Sequence, residues 1–130
     1  MKVNIRKQRV GVKDNKEMYV AHIDNYSRLD REEMLESAAR NTGMSRSMLA
    51  AALSALEHEV TQRMLSGHIV DLGELGTFRV SFNCKAVENR EDLSADCITR
   101  RRVIFHPSKY LKRQLGYLKF AGFAPGADDE

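Results

Sequence analysis

Three scarcities narrow the class of this 130-residue chain. There are only two cysteines, Cys84 and Cys97, too few for a disulfide scaffold and without metal-ligand spacing, so they read as reduced thiols. Proline occurs twice, at Pro107 and Pro125, and nowhere before. No run of 18 apolar residues exists, and the opening MKVNIRKQRVGVK places a charge every few residues where a signal peptide needs an apolar stretch. A cytoplasmic protein with no membrane contact is expected. His22, His58, His68 and His106 are scattered without ligand spacing, no nucleophile motif occurs, and Gly73 and Gly76 are followed by no G-K-[ST]. No metal, cofactor, small-molecule substrate or enzymatic activity is indicated.

What the chain has is charge, unevenly placed. The net charge is +3, yet residues 1–22 hold six basic and two acidic residues and 100–130 hold seven basic and three acidic, while 23–66 and 67–99 are net acidic. At this length a domain is near the size where small cores lean on a partner.

Two stretches organise the rest. In His68–Phe82, Val70, Leu72, Phe78, Val80 and Phe82 fall at even spacing around Gly73 and Gly76, which predicts two short strands joined at a glycine corner. In Arg100–Lys112, Val103–Phe105 form an apolar strand that Pro107 ends, and Ser108 caps a short basic helix, Lys109–Gln114. Upstream, residues 3–9 and 18–23 are strand-like, with a polar turn at Lys13–Lys16 between them, and Asn25–Leu29 is a polar link. Asp30 with Glu33 matches an acidic capping box ahead of a helix, Arg31–Asn41, expected to bury Met34, Leu35 and Ala38 and to stop at Gly43. Ser45 caps a long helix ending at Gly67.

That long helix carries Leu49, Leu53, Leu56, Val60 and Met64 at steps of three and four, with Ala50, Ala51, Ala52 and Ala55 beside them. This is more apolar surface than one short helix covers. A homodimer through Leu49, Ala52, Leu53, Leu56 and Val60 is expected; the alternative is cover by the sheet and the N-terminal strands of the same chain. From Asn83 to Asp96 the apolar pattern lapses into a net acidic arm or loop. Tyr117, Leu118, Phe120 and Phe123 add a last strand or pack over the core, and Ala127–Glu130 is a disordered acidic tail. The organisation expected is α+β, with an N-terminal β extension at 1–29, a central domain at 30–120 and a tail at 121–130.

This order of elements resembles the HU and integration-host-factor family of bacterial histone-like proteins. The resemblance rests on TGMS at Thr42–Ser45, the helix-ending Gly67, VDLGELGTFRV at Val70–Val80 and ITRRRVIFHPSKYLK at Ile98–Lys112. It implies an intertwined homodimer whose helices form a base and whose arms embrace the minor groove of double-stranded DNA, with backbone-led and weakly selective binding. Two departures stand out: the family's basic G-R-N-P arm tip is missing, which excludes a proline wedge, and the first corner glycine is displaced by one position. The extension before the first helix is similar to that of an HU-related subgroup with added N-terminal strands.

Arg100, Arg101 and Arg102 carry the strongest functional signal, since adjacent guanidiniums on an extended strand put phosphate-binding forks on both faces; the plainer alternative is an edge strand guarded by charge. Lys109, Lys112 and Arg113 share a face of the closing helix, and the amides at its start are open to a phosphate. Arg79, Lys85 and Arg90 are further contact candidates, and Arg46 opposes the dipole of the long helix as though placed for a partner. Lys2, Arg6, Lys7 and Arg9 extend a basic surface or guard a charged edge. The function expected is nucleoid-associated DNA binding and condensation by a homodimer. The alternative is a dimeric protein-interaction module with residual affinity for DNA or RNA.

Overall fold

Alternating apolar residues and well-marked helix ends produce strands β1 (Val3–Val10) and β2 (Lys16–Ile23), helices α1 (Arg31–Thr42) and α2 (Arg46–Leu65), strands β3 (Val70–Asp71), β4 (Gly76–Cys84) and β5 (Ile98–Pro107), and helix α3 (Lys109–Gly116). The computed structural model describes residues 1–11, 16–24 and 27–123; most of the turn at Lys13–Lys16, the start of the link at Asn25 and the tail at Ala127–Glu130 lie outside them. The chain divides into two units, one from Arg31 to Leu115 and one that joins residues 1–30 to the chain from Gly116 onward.

In the larger unit α1 has Glu32 and Glu33 in its first turn and Arg40 in its last, matching the helix dipole at both ends. Leu35 is its buried residue, 6% exposed, whereas Met34, expected to be buried, is 55% exposed. Neighbouring helix positions stand about 100° apart, so one packing surface covers only one of the two. The Ser45 hydroxyl accepts from the Met48 amide at 3.1 Å and starts α2 as its spacing predicts. At the other end the Gly67 amide donates to the Met64 carbonyl and the His68 amide to the Arg63 carbonyl, both at 3.0 Å, the paired bonds of a Schellman ending.

The three-stranded antiparallel sheet has the order β3-β4-β5. Its corner is tied by the Leu72 amide on the Gly76 carbonyl at 2.9 Å and the Gly73 amide on Asp71 Oδ1 at 2.7 Å. Gly76 sits at φ +142° against Pro107, and a Cβ there would lie 2.0 Å from the His106 carbonyl oxygen, so only glycine lets β4 approach β5. Phe78 pairs with Phe105, their ring centroids 4.9 Å apart, and Val80 with Val103. The ladder runs on to Asn83–Thr99 and Cys84–Ile98, beyond which residues 85–97 form a loop with short 3-10 turns at Arg90–Asp92 and Ala95–Cys97.

The smaller unit is built on the antiparallel pair β1 and β2, from Val3–Ile23 to Val10–Lys16. Residues 117–123 add no strand to the central sheet. The Val3 amide donates to the Ala121 carbonyl at 2.8 Å, the Ala121 amide to the Met1 carbonyl at 3.0 Å and the Met1 ammonium to the Lys119 carbonyl at 2.8 Å, so backbone pairing draws them to β1. A Cβ on Gly122 would meet the Val3 carbonyl oxygen at 2.2 Å, a close approach that keeps Val3 buried.

Two outcomes follow from this geometry. Gly76→Ala should cost about 2–4 kcal/mol, read from the urea midpoint, because it adds a backbone clash to a strained φ. Gly73→Ala, at φ +68° with open space around it, should cost only about 1–2 kcal/mol. Cys84 faces Ile98 while the Lys85 amide bonds to the Cys97 carbonyl at 2.8 Å, so the cysteines sit one step out of register, on opposite faces, rather than as cross-strand neighbours. Thiol titration of the native, air-exposed protein should therefore find two free sulfhydryls per chain.

Candidate nucleic-acid interface

Strand alternation sorts the β4–β5 pair into two faces. Phe78, Val80 and Phe82 with Val103 and Phe105 form the apolar face, while Thr77, Arg79, Ser81 and Asn83 with Thr99, Arg102, Ile104 and His106 form the other. The sequence candidates Arg79 and Arg102 thus share a face, opposite Ile104 and Ser81 on neighbouring rungs. Lys85, just past β4, continues that alternation. The hydroxyl and amide residues Thr77, Ser81, Asn83 and Thr99 on this face were not singled out by sequence, although their even spacing to Arg79 was visible.

The arginine run is not the regular extended strand that its composition suggests. Ser81 pairs with Arg102 and Asn83 with Thr99, which leaves Phe82 alone opposite both Arg100 and Arg101. This is a β-bulge, and Arg100 holds it with φ +51°, the only non-glycine positive φ among the described residues. The simple assignment of three arginines to alternating faces is thereby corrected. The bulge absorbs the extra residue: Ile98 and Val103 are five positions apart, which in an unbroken strand puts them on opposite faces, yet both align with the apolar face. Arg102 donates to Asn83 Oδ1 at 3.2 Å across the bulge.

Five cations outside the β4–β5 pair and α3 are in ion pairs: Lys2 with Asp24, Lys7 with Glu17, Arg31 with Glu57, Arg63 with Glu59 and Arg46 with Glu32. Arg46, which the sequence places for an outside partner, has one in α1. Among the described residues none of Arg79, Lys85, Arg90, Arg100, Arg101, Arg102, Lys109, Lys112 and Arg113 is in an ion pair, and all nine are exposed. Arg90 opens a 3-10 turn in the loop beyond the ladder, apart from the arginines of β5. On α3 Lys109, Lys112 and Arg113 follow helical spacing, but one amide expected to be open, that of Leu111, is taken by the Ser108 hydroxyl at 3.0 Å.

On the opposite side of the sheet Leu53, Leu56, Val60 and Met64 of α2 join Leu72, Leu75, Phe78 and Val103 around an open apolar groove of about 540 Å³. Leu56 is 56% and Val103 58% exposed, and no residue of α2 is fully buried. Leu49 and Ala52, the other two expected interface residues, are half-buried and exposed respectively. Among the described residues the buried apolar side chains are Val3 and Leu35 alone. No helix among them is long and apolar enough to cross a membrane, and no group of three or more metal-ligating side chains is found.

Comparison with known proteins adds to this geometry. The structure is similar to a candidate bacterial DNA-binding protein from Bacteroides vulgatus ATCC 8482, with a TM-score of 0.64 and 16% identity over 92% of this chain. The chain spans about half of that protein, 46% of its length. It is also similar to Anabaena HU, solved in a cocrystal with DNA, with a TM-score of 0.52 and 16% identity over 69% of this chain and 100% of that one. No curated protein matches the chain. The model of the HU-HIG family, described as an HU domain fused to wHTH, Ig, or glycine-rich motif, matches residues 1–121. A match over nearly the whole length, on a fold that HU shares, places this chain in the HU-HIG family.

Proposed function

We propose that this chain binds double-stranded DNA as a nucleoid-associated homodimer, through phosphate contacts and with weak sequence selectivity. The observation that carries the proposal is a set of nine exposed basic residues on the β4–β5 pair, its loop and α3, none of them in an ion pair among the described residues, on a chain whose ion-paired cations lie elsewhere in the fold. Guanidinium forks suit phosphate oxygens, and contacts to the backbone carry no base information. Arg79 and Arg102 share with Thr77, Ser81, Asn83 and Thr99 a face that is polar except for Ile104, and its arginine, hydroxyl and amide groups are of the phosphate-contacting kind. The Anabaena relative, seen with DNA, supports the same ligand here. Residues 30–120 are proposed as the DNA-binding domain and 1–29 as an accessory β extension.

The homodimer rests on the uncovered groove. Among the described residues only Val3 and Leu35 are buried apolar side chains, while the apolar face of α2 and the sheet stands open to water, as faces that meet another chain do. A second copy has the same apolar helix face and can close the groove with it. Light scattering at micromolar concentration should give about twice the 14.8 kDa chain mass, and Leu56→Glu should abolish that dimer together with most of the folded far-ultraviolet signal.

The phosphate reading has its own test. Mobility-shift affinity for duplex DNA should fall steeply with salt, and Arg101→Ala with Arg102→Ala should flatten the log–log slope by about 0.9 for each phosphate that is no longer neutralised. The weakening should be similar for unrelated duplex sequences. Affinity that does not change with salt removes the phosphate model and leaves a protein-interaction module as the better reading, while tighter binding of structured RNA in the same series redirects it.

A further inference from the structure

The arginine run is one residue longer than the ladder requires. The pairs Ser81–Arg102 and Asn83–Thr99 bracket one residue on β4 and two on β5, so a chain shortened by one arginine keeps every other pair in place. Nothing in the register is gained by the extra residue. Arg100 nonetheless occupies the left-handed region at φ +51°, which non-glycine residues rarely adopt. Strain retained without a packing return points to a use.

We infer that Arg100 is a positioning residue for the phosphate-binding strand, acting through the bulge it holds and not only through its own charge. The inference rests on the DNA-binding reading above. A bulge bends its strand and increases the local right-handed twist, and it re-aims the side chains beside it. Here it sets Arg100 and Arg101 together opposite Phe82, while Arg102, next in line, is held by Asn83 Oδ1 at 3.2 Å on the face that carries Arg79. A flat strand points alternate side chains in opposite directions, so that at most two of three successive guanidiniums can meet one phosphate backbone. The bulge changes which two stand together, setting Arg100 beside Arg101 and leaving Arg102 with Arg79, at the root of the loop 85–97, where β4 and β5 leave the last pair, Cys84–Ile98.

Charge and positioning separate in three variants. Arg100→Gly removes the guanidinium and keeps the bulge, with its strain relieved. Deletion of Arg100 removes both. A serine inserted between Phe82 and Asn83 gives β4 the matching extra residue, so the ladder becomes regular while all three arginines stay. Each is melted in urea and titrated with a random-sequence duplex over a salt series. Arg100→Gly should be at least as stable as the parent, with a salt slope shallower by about 0.9 for each phosphate that the guanidinium neutralised. The insertion should bind about tenfold more weakly than the parent with its arginine count intact, the equivalent of one charge-assisted hydrogen bond, and the deletion about tenfold more weakly than Arg100→Gly. An insertion variant that binds like the parent, or a deletion that binds like Arg100→Gly, overturns the inference and leaves DNA binding standing; should the deletion not fold, the insertion decides alone. A parent that binds no duplex at low salt overturns the DNA reading itself.

Discussion

Pairing of β4 with β5 is the constraint on which the larger unit depends. One strand pair has to present Phe78, Val80, Val103 and Phe105 to the helical side and Arg79 and Arg102 to the other, and strict alternation is the only means by which a two-residue repeat achieves this. Gly76 permits the close start of that pairing, Pro107 ends it, and Ser108 turns the chain into α3 by donating its amide to the Leu75 carbonyl at 3.0 Å and accepting from Leu111. An error of one residue anywhere between would exchange oil for charge along the whole ladder. The bulge at Arg100 is tolerated because it adds its residue where the two faces are already polar or open.

The division of charge has an energetic side. Exposed ion pairs such as Lys7 with Glu17 at 2.9 Å and Arg63 with Glu59 at 2.8 Å each contribute at most about 1 kcal/mol. Ion pairing therefore adds little stability where it occurs, and the cations of the sheet lose little by going without it. Clustered unpaired cations repel one another, a cost that a polyanion reverses. The uncovered α2 groove on the other side is an independent deficit, apolar where the first is electrostatic, and the proposed second copy would relieve it. The two faces of one small sheet thus ask for two chemically different partners.

Most element boundaries were legible because they depend on local chemistry. Ser45, Gly67 and the capping hydroxyl of Ser108 act through bonds to residues three positions away, Pro107 acts by having no amide to give, and the spacing of Leu49, Leu53, Leu56 and Val60 is a helical face in any context. Three features were not legible. The bulge depends on how β5 counts against β4, a relation between segments that no window along one of them contains. Arg46 was read through the dipole of its own helix, whereas its partner Glu32 lies in another. The destination of residues 117–123 is set by backbone bonds to Met1 and Val3, which leave no trace in side-chain pattern.

That last arrangement bears on the order in which the protein can be made. The Met1 ammonium and the Lys119 carbonyl are 118 positions apart in the chain, and Val3 is shielded only once Gly122 has arrived. During synthesis β1 and β2 leave the ribosome before the segment 31–115, which contains all of its own strand partners, and they await backbone partners that emerge only after it. The strands that emerge before that segment are completed after it.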